Sequence, residues 1–189
     1  MNKYTIRDFN KQFPNDNACL HSMFLARYEG KPCPSCKRQT NFYKLNNRKA
    51  YSCQFCGYNL FPLANTIFHK SDTSLKLWFY AIFLMAQSRN GVSAKELERH
   101  LGVTYKTAWR MAKQIRLLME QGGDMLSGTV EADETYIGGK RKNGQGGKGK
   151  TPVVGMVQRK GNVKAVTAID TTRHTVTPII KKNALLELT

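Results

Sequence analysis

Two Cys-x-x-Cys pairs, Cys33/Cys36 and Cys53/Cys56, stand 16 residues apart and constrain this chain more than any other feature. Two thiolates flanking two residues form a tight knuckle, and two knuckles complete a tetrahedron around zinc. The chain opens Met1-Asn2-Lys3-Tyr4, without the apolar core of a secretion signal. The spacing therefore reads as a metal site rather than as disulfides, and a cytoplasmic location is expected. Four thiolates leave no open coordination position, so the expected role of the zinc is structural. Gly57 suits a bend just past the last ligand. The fifth cysteine, Cys19, lies in an apolar helical pattern and is expected in the core.

Charge sets the class of partner. The chain carries 30 Lys+Arg against 13 Asp+Glu, a formal net charge of +17. Such a balance points to a polyanion, most often nucleic acid. Double-stranded DNA is the expected partner and association with the nucleoid the expected location. Arg27, Lys31, Lys37, Arg38, Lys44, Arg48 and Lys49 surround the cysteines against the single acid Glu29, so the ribbon is expected to touch DNA. A hydrophobic fraction of 41% excludes a disordered tail. The greasiest stretch, Leu75 to Ala86, is short and interrupted by Lys76. It reads as a buried helix and not as a membrane span.

The expected fold class is α+β. Residues 1–30 form an N-terminal helical segment, with Asn15-Asp16 capping a helix that ends near Gly30. Residues 31–62 hold the ribbon, with strand-like runs from Asn41 to Leu45 and from Ala50 to Cys53. Residues 63–121 read as a helical unit. There Ser71-Asp72-Thr73 caps an apolar helix to Gln87, Ser93 and Glu96 form a capping box, and Leu101-Gly102 ends the second helix. Thr104 caps the third. The last two helices resemble a helix-turn-helix. Thr104, Tyr105, Lys106, Thr107, Arg110 and Lys113 are the expected DNA contacts, Ala108, Met111, Ala112 and Ile115 pack inward, and Trp109 is expected in the core.

Residues 122–129 are a linker by composition, and residues 130–189 change to strands. Val130–Ile137, Val153–Gln158 and Val163–Ile169 are the strands, the last two joined by a turn at 159–162. A helix follows over Thr175–Leu188, with Pro178 in its first turn. Residues 138–152 form a basic loop whose Lys140, Arg141 and Lys142 are expected to track phosphates. On the first strand Glu131, Asp133 and Thr135 share a face, with Glu134 on the other. An acid cluster in so basic a chain suggests a Mg²⁺ site for phosphodiester chemistry, which requires several carboxylates converging from separate elements.

Cys33-x2-Cys36 and Cys53-x2-Cys56 are followed by Asn65-Thr66-Ile67-Phe68-His69-Lys70-Ser71 and Leu77-Trp78-Phe79. Lys106-Thr107-Ala108-Trp109-Arg110-Met111 and the run from Glu131 to Lys140 come next. In this order the motifs resemble a bacterial insertion-sequence transposase with an N-terminal zinc ribbon, a helix-turn-helix and a DDE-type RNase H-like domain. The resemblance implies that Asp133 is the first catalytic carboxylate and that Mg²⁺ serves a complete family member. It further implies binding of transposon-end DNA and a homo-oligomer or full-length transposase as partner. The family's second aspartate follows the first helix of that domain, where this sequence ends at Thr189. The expectation is a truncated, catalytically incomplete copy, with Asp170 and Glu187 as weak substitutes and the first strand left as an exposed edge. A non-catalytic regulator that competes with full-length transposase is the alternative, and an adaptor using the ribbon for protein contacts is a third.

Overall fold

The computed structural model describes residues 4–119, 125–138 and 149–185. The chain divides after Met119 into two units. The first unit begins with α1 (Ile6–Gln12). Thr5 and Asp8 close it with a reciprocal capping box, the Thr5 N–H donating to the Asp8 carboxylate at 2.9 Å. Helix α2 (Asp16–Tyr28) follows, its Ala18 N–H capped by Asn15 Oδ1 at 3.0 Å, as the sequence predicts.

Helix α3 (Leu75–Gln87) is the apolar helix expected from composition, but its cap is elsewhere. Ser71, Asp72 and Thr73 do not cap it; Ser74 precedes it and makes no side-chain cap bond of its own. The carboxylate comes from α2. Asp16 Oδ1 accepts from the Lys76 N–H at 3.0 Å and from the Ser74 hydroxyl at 2.6 Å. A negative charge at a helix N-terminus satisfies orphan N–H groups and complements the helix dipole. Among the described residues, no helix is long and apolar enough to cross a membrane.

Helix α4 (Ala94–Leu101) ends at Gly102, whose left-handed φ of 63° only glycine adopts without cost. The Ser93 hydroxyl accepts from the Glu96 N–H at 3.1 Å. The Glu96 carboxylate faces His100 Nε2 at 3.9 Å instead of completing the predicted box. Helix α5 (Tyr105–Leu118) starts from its Thr104 cap as predicted. The ribbon contributes an antiparallel sheet of β1 (Phe42–Lys44), β2 (Tyr51–Cys53) and β3 (Asn59–Leu60), the last a strand that the sequence does not announce. One hydrophobic core runs through all of these pieces: Cys19 and Phe24 of α2, Tyr51 and Leu60 of the ribbon, Trp78 of α3, Leu97 of α4 and Met111 of α5.

The second unit is a meander of β4 (Val130–Ile137), β5 (Thr151–Gln158) and β6 (Val163–Thr167), followed by α6 (Arg173–Asn183). Its core is Leu126, Val154, Met156, Val176 and Ala184. Leu126, which composition assigns to a linker, is fully buried. Helix α6 stops five residues before the predicted Leu188 because the following backbone is drawn into a parallel bridge, with the Leu185 N–H donating to the Leu126 carbonyl at 2.7 Å. Pro178 sits in the body of α6 rather than in its first turn. Its missing N–H leaves the His174 carbonyl without the usual partner, and both residues face solvent.

Desolvation alone would raise the Asp16 pKa, but bonds from the Ser74 hydroxyl and the Lys76 and Leu75 N–H groups outweigh it and lower it. Its contribution is therefore full above the ordinary carboxylate pKa and is lost as pH falls through the lowered folded value. Asp16→Ala is expected to cost about 1 kcal/mol at neutral pH. Urea denaturation of both proteins at neutral pH and in strong acid checks this, because the difference should vanish in acid.

Candidate metal centre and nucleic-acid interface

The two knuckles are built alike. In the first, the Lys37 N–H donates to the Cys33 carbonyl at 2.9 Å and the Cys33 N–H to the Arg38 carbonyl at 2.9 Å. In the second, Gly57 and Cys53 repeat the pattern, the Gly57 N–H donating to Cys53 at 3.1 Å and the Cys53 N–H to Tyr58 at 2.9 Å. Both knuckles need a left-handed residue after the last cysteine, met by Gly57 at φ 69° and by Lys37 at φ 60°. Lysine accepts this conformation at a cost that glycine avoids, so the sequence marks the second bend and conceals the first.

The four sulfurs lie within 4.8 Å of one another. Cys33 Sγ is 3.7 Å from Cys56 Sγ, and Cys36 Sγ is 3.8 Å from Cys53 Sγ. A tetrahedron with zinc–sulfur bonds of about 2.3 Å has sulfur–sulfur edges of about 3.8 Å, so the donor set fits zinc in both chemistry and size. Bonds from the Cys56 and Phe55 N–H groups and from neighbouring sulfurs outweigh desolvation and hold the Cys53 thiol down at about 6. Cys36 moves the other way, to about 11, because burial and the other three sulfurs overcome the Arg38 N–H. Among the described residues, this is the one cluster of three or more metal-ligating side chains.

Helix α5 presents two faces. Ala108, Met111, Ala112 and Ile115 are buried, at most 1% exposed, as predicted. Tyr105, Lys106, Trp109, Arg110 and Lys113 face outward. Trp109 corrects its expected core placement: it is 50% exposed, because the buried stripe at 108, 111, 112 and 115 leaves position 109 on the outer flank. Lys113 Nζ sits 5.5 Å from its ring centroid, and Lys95 Nζ sits 5.7 Å from that of Tyr105. Arg110 is partly committed to the fold, 3.3 Å from Ser71 Oγ and over the Trp78 ring. Thr104 and Thr107 share a 3.0 Å bond between hydroxyls at the cap.

Several ribbon cations are also engaged. Arg27 donates to the carbonyls of Pro62 and Ala64 at 2.7 and 2.6 Å, and Lys31 to that of Arg27. Lys44 holds Asn17, and Arg38 lies over Phe55. These partners engage the four cations within the fold, Arg27 in part-buried bonds and the others at the surface, which charge counting along a sequence does not reveal. Lys140, Arg141 and Lys142 of the basic loop, and Glu187, lie outside the described residues.

Asp133 stands exposed on β4, accepting from the Glu134 N–H at 2.9 Å. Its cross-strand partner is Gly155, which pairs in turn with Ala165, so the sheet surface beside the carboxylate is low. Glu134 pairs with Val154 of the helix-covered face, placing Glu134 opposite Asp133. Glu131 is bound to Arg159 at 2.8 Å. Asp170 follows β6, two strands away from β4, where it accepts from the Thr172 N–H and hydroxyl at 3.0 and 2.7 Å. Asp170 lies five residues beyond Ala165, the residue level with Asp133, so the two acids are offset along the strands as well as by two strand spacings of about 9–10 Å. The Thr175 and Thr172 hydroxyls hold Asp170 below the ordinary carboxylate range.

Comparison with known proteins gives two family matches. Residues 14–59 match the transposase zinc-ribbon domain, and residues 125–186 match the ISXO2-like transposase domain. A curated relative, an uncharacterized protein in transposable element ISH50 of Halobacterium salinarum, is 29% identical over 132 residues. That alignment covers 67% of this chain and 44% of the relative, so the chain spans less than half the relative's length. No solved structure matches. Over these two stretches, in chain order, the chain is similar to the zinc-ribbon and DDE-type domains of insertion-sequence transposases.

Proposed function

We propose that this chain binds transposon-end DNA in DNA transposition, and that by itself it does not cut or join strands. The observation that carries the binding half is α5, whose outer face shows Lys106, Arg110 and Lys113 and whose sequence contains no acid. In this reading Thr104, Tyr105 and Thr107 at its start meet base edges and phosphates of a duplex groove. The zinc ribbon adds Lys37, Arg48 and Lys49, and Lys140, Arg141 and Lys142 are taken in this reading as further phosphate contacts. Zinc is structural in this reading. Such a protein works on the nucleoid, with a homo-oligomer or a full-length transposase as partner.

The antiparallel meander, the helix laid on one face and the parallel return at Leu126 and Ala184 support an RNase H-like reading of residues 130–189. In that reading Asp133 is the first carboxylate of a Mg²⁺ site. Two ions held side by side would activate water and stabilise the leaving oxygen. Asp133 contributes one ligand, on an open face beside Gly155, while Glu131 and Asp170 are occupied by Arg159 and Thr172. This occupancy favours the second reading as well, a binder that blocks transposon ends without chemistry.

Duplex affinity is expected to fall steeply with salt, roughly 10³-fold between 50 and 200 mM for about six phosphate contacts. Filter binding across that range checks it, and an affinity indifferent to salt would exclude phosphate engagement. Mg²⁺-dependent nicking of a bound end, abolished by Asp133→Ala, would overturn the non-cutting half. Chelation of zinc, or Cys36→Ser, is expected to unfold the ribbon, since metal binding and folding are coupled in such modules. One zinc per chain by elemental analysis and loss of sheet signal on chelation are the outcomes to measure.

A further inference from the structure

Resting on the reading of α4 and α5 as a DNA-binding pair, we infer that Trp109 reads a thymine by contact with its 5-methyl group. Trp109 carries a large apolar ring half exposed on the outer face of the helix, covered there by the Lys113 ammonium. Its 50% exposure contrasts with the 1% of Trp78, which belongs to the core. Trp109 lies one turn past Tyr105, itself 50% exposed, on the same strip of helix. Lys113 and Lys95 hold their ammonium groups over these two rings, and Lys106 stands beside them.

The strip thus combines the two rings with Lys106 and Lys113 and has no acid on α5, while Lys95 is paired with Glu98 of α4 at 2.6 Å. Its charge complements a phosphate backbone, and its rings offer apolar surface between the cations. In an intact duplex the base faces are stacked and closed to an indole. The groove edges remain, and the thymine methyl is the apolar group they display. Lys113, seated on the Trp109 ring, would then be available to the phosphates that flank such a contact. The first turns of a groove-inserted helix are those that meet base edges, and Trp109 lies within them.

The test uses the full zinc-loaded chain and a duplex selected from a random pool by the wild-type protein. Each thymine is replaced in turn by uracil, which removes the methyl and keeps the pairing. At one position the wild type should lose about fourfold in affinity, the worth of one buried methyl. Trp109→Ala should bind the parent duplex more weakly and no longer distinguish thymine from uracil at that position. Trp109→Phe should recover part of the discrimination. Duplex should also protect wild-type fluorescence from acrylamide, because Trp109 is the exposed one of the chain's two tryptophans. The buried Trp78 reports whether the variants fold. A folded Trp109→Ala with wild-type affinity and an unchanged uracil profile would overturn the inference while leaving DNA binding in place. Wild-type protein without salt-sensitive duplex binding would overturn the helix-pair reading, and the inference with it.

Discussion

The first unit depends on the burial of α3 around Trp78. The indole N–H donates to Ser71 Oγ at 2.9 Å, Phe68 meets the ring edge-on at 5.6 Å, and the Arg110 guanidinium lies above it. Removing a buried tryptophan typically costs about 3–5 kcal/mol, several times the worth of a helix cap. The other elements gather on this helix. Phe9 of α1 and Phe13, which caps its C-terminus, pack on Phe79, Tyr80 and Phe83, while Asp16 of α2 closes the N-terminus of α3. Arg110 and Ser71 therefore tie the outward-facing helix α5 to the segment that leads into α3.

The second unit divides its labour between the two sides of one sheet. Strand β5 turns Pro152, Val154 and Met156 toward the buried side, where α6 covers the latter two. The intervening positions turn the other way, and Asp133 stands there beside Gly155 and Ala165. Strand periodicity alone sorts the acids, since Glu131 and Asp133 fall on the open face and Glu134 on the covered one.

Much of this was legible in the sequence because the determinants are local. The cysteine spacing specifies the knuckles, Thr104 and Ser93 supply their own caps, and the change from helical to alternating pattern marks the second unit. What escaped is contributed at a distance. The cap of α3 comes from Asp16, far back in the chain, and the end of α6 is set by Leu126. Lys37 adopts a glycine-like conformation that its side chain does not advertise. Trp109 is hydrophobic yet outward, because the stripe at 108, 111, 112 and 115 already fills the inner face. Arg27 adds to the charge of the sequence, yet the carbonyls of Pro62 and Ala64 claim it.

The stack of Tyr51 on Phe24, with ring centroids 4.1 Å apart, has an effect beyond packing. It joins the sulfur-bearing hairpin to the same apolar core that seats α5. In the proposed DNA complex the two surfaces would therefore be held at one spacing. Any polymer gripped by both must present its matching features at a fixed pitch, and adding or deleting a few nucleotides between them would force the polymer, rather than the protein, to bend.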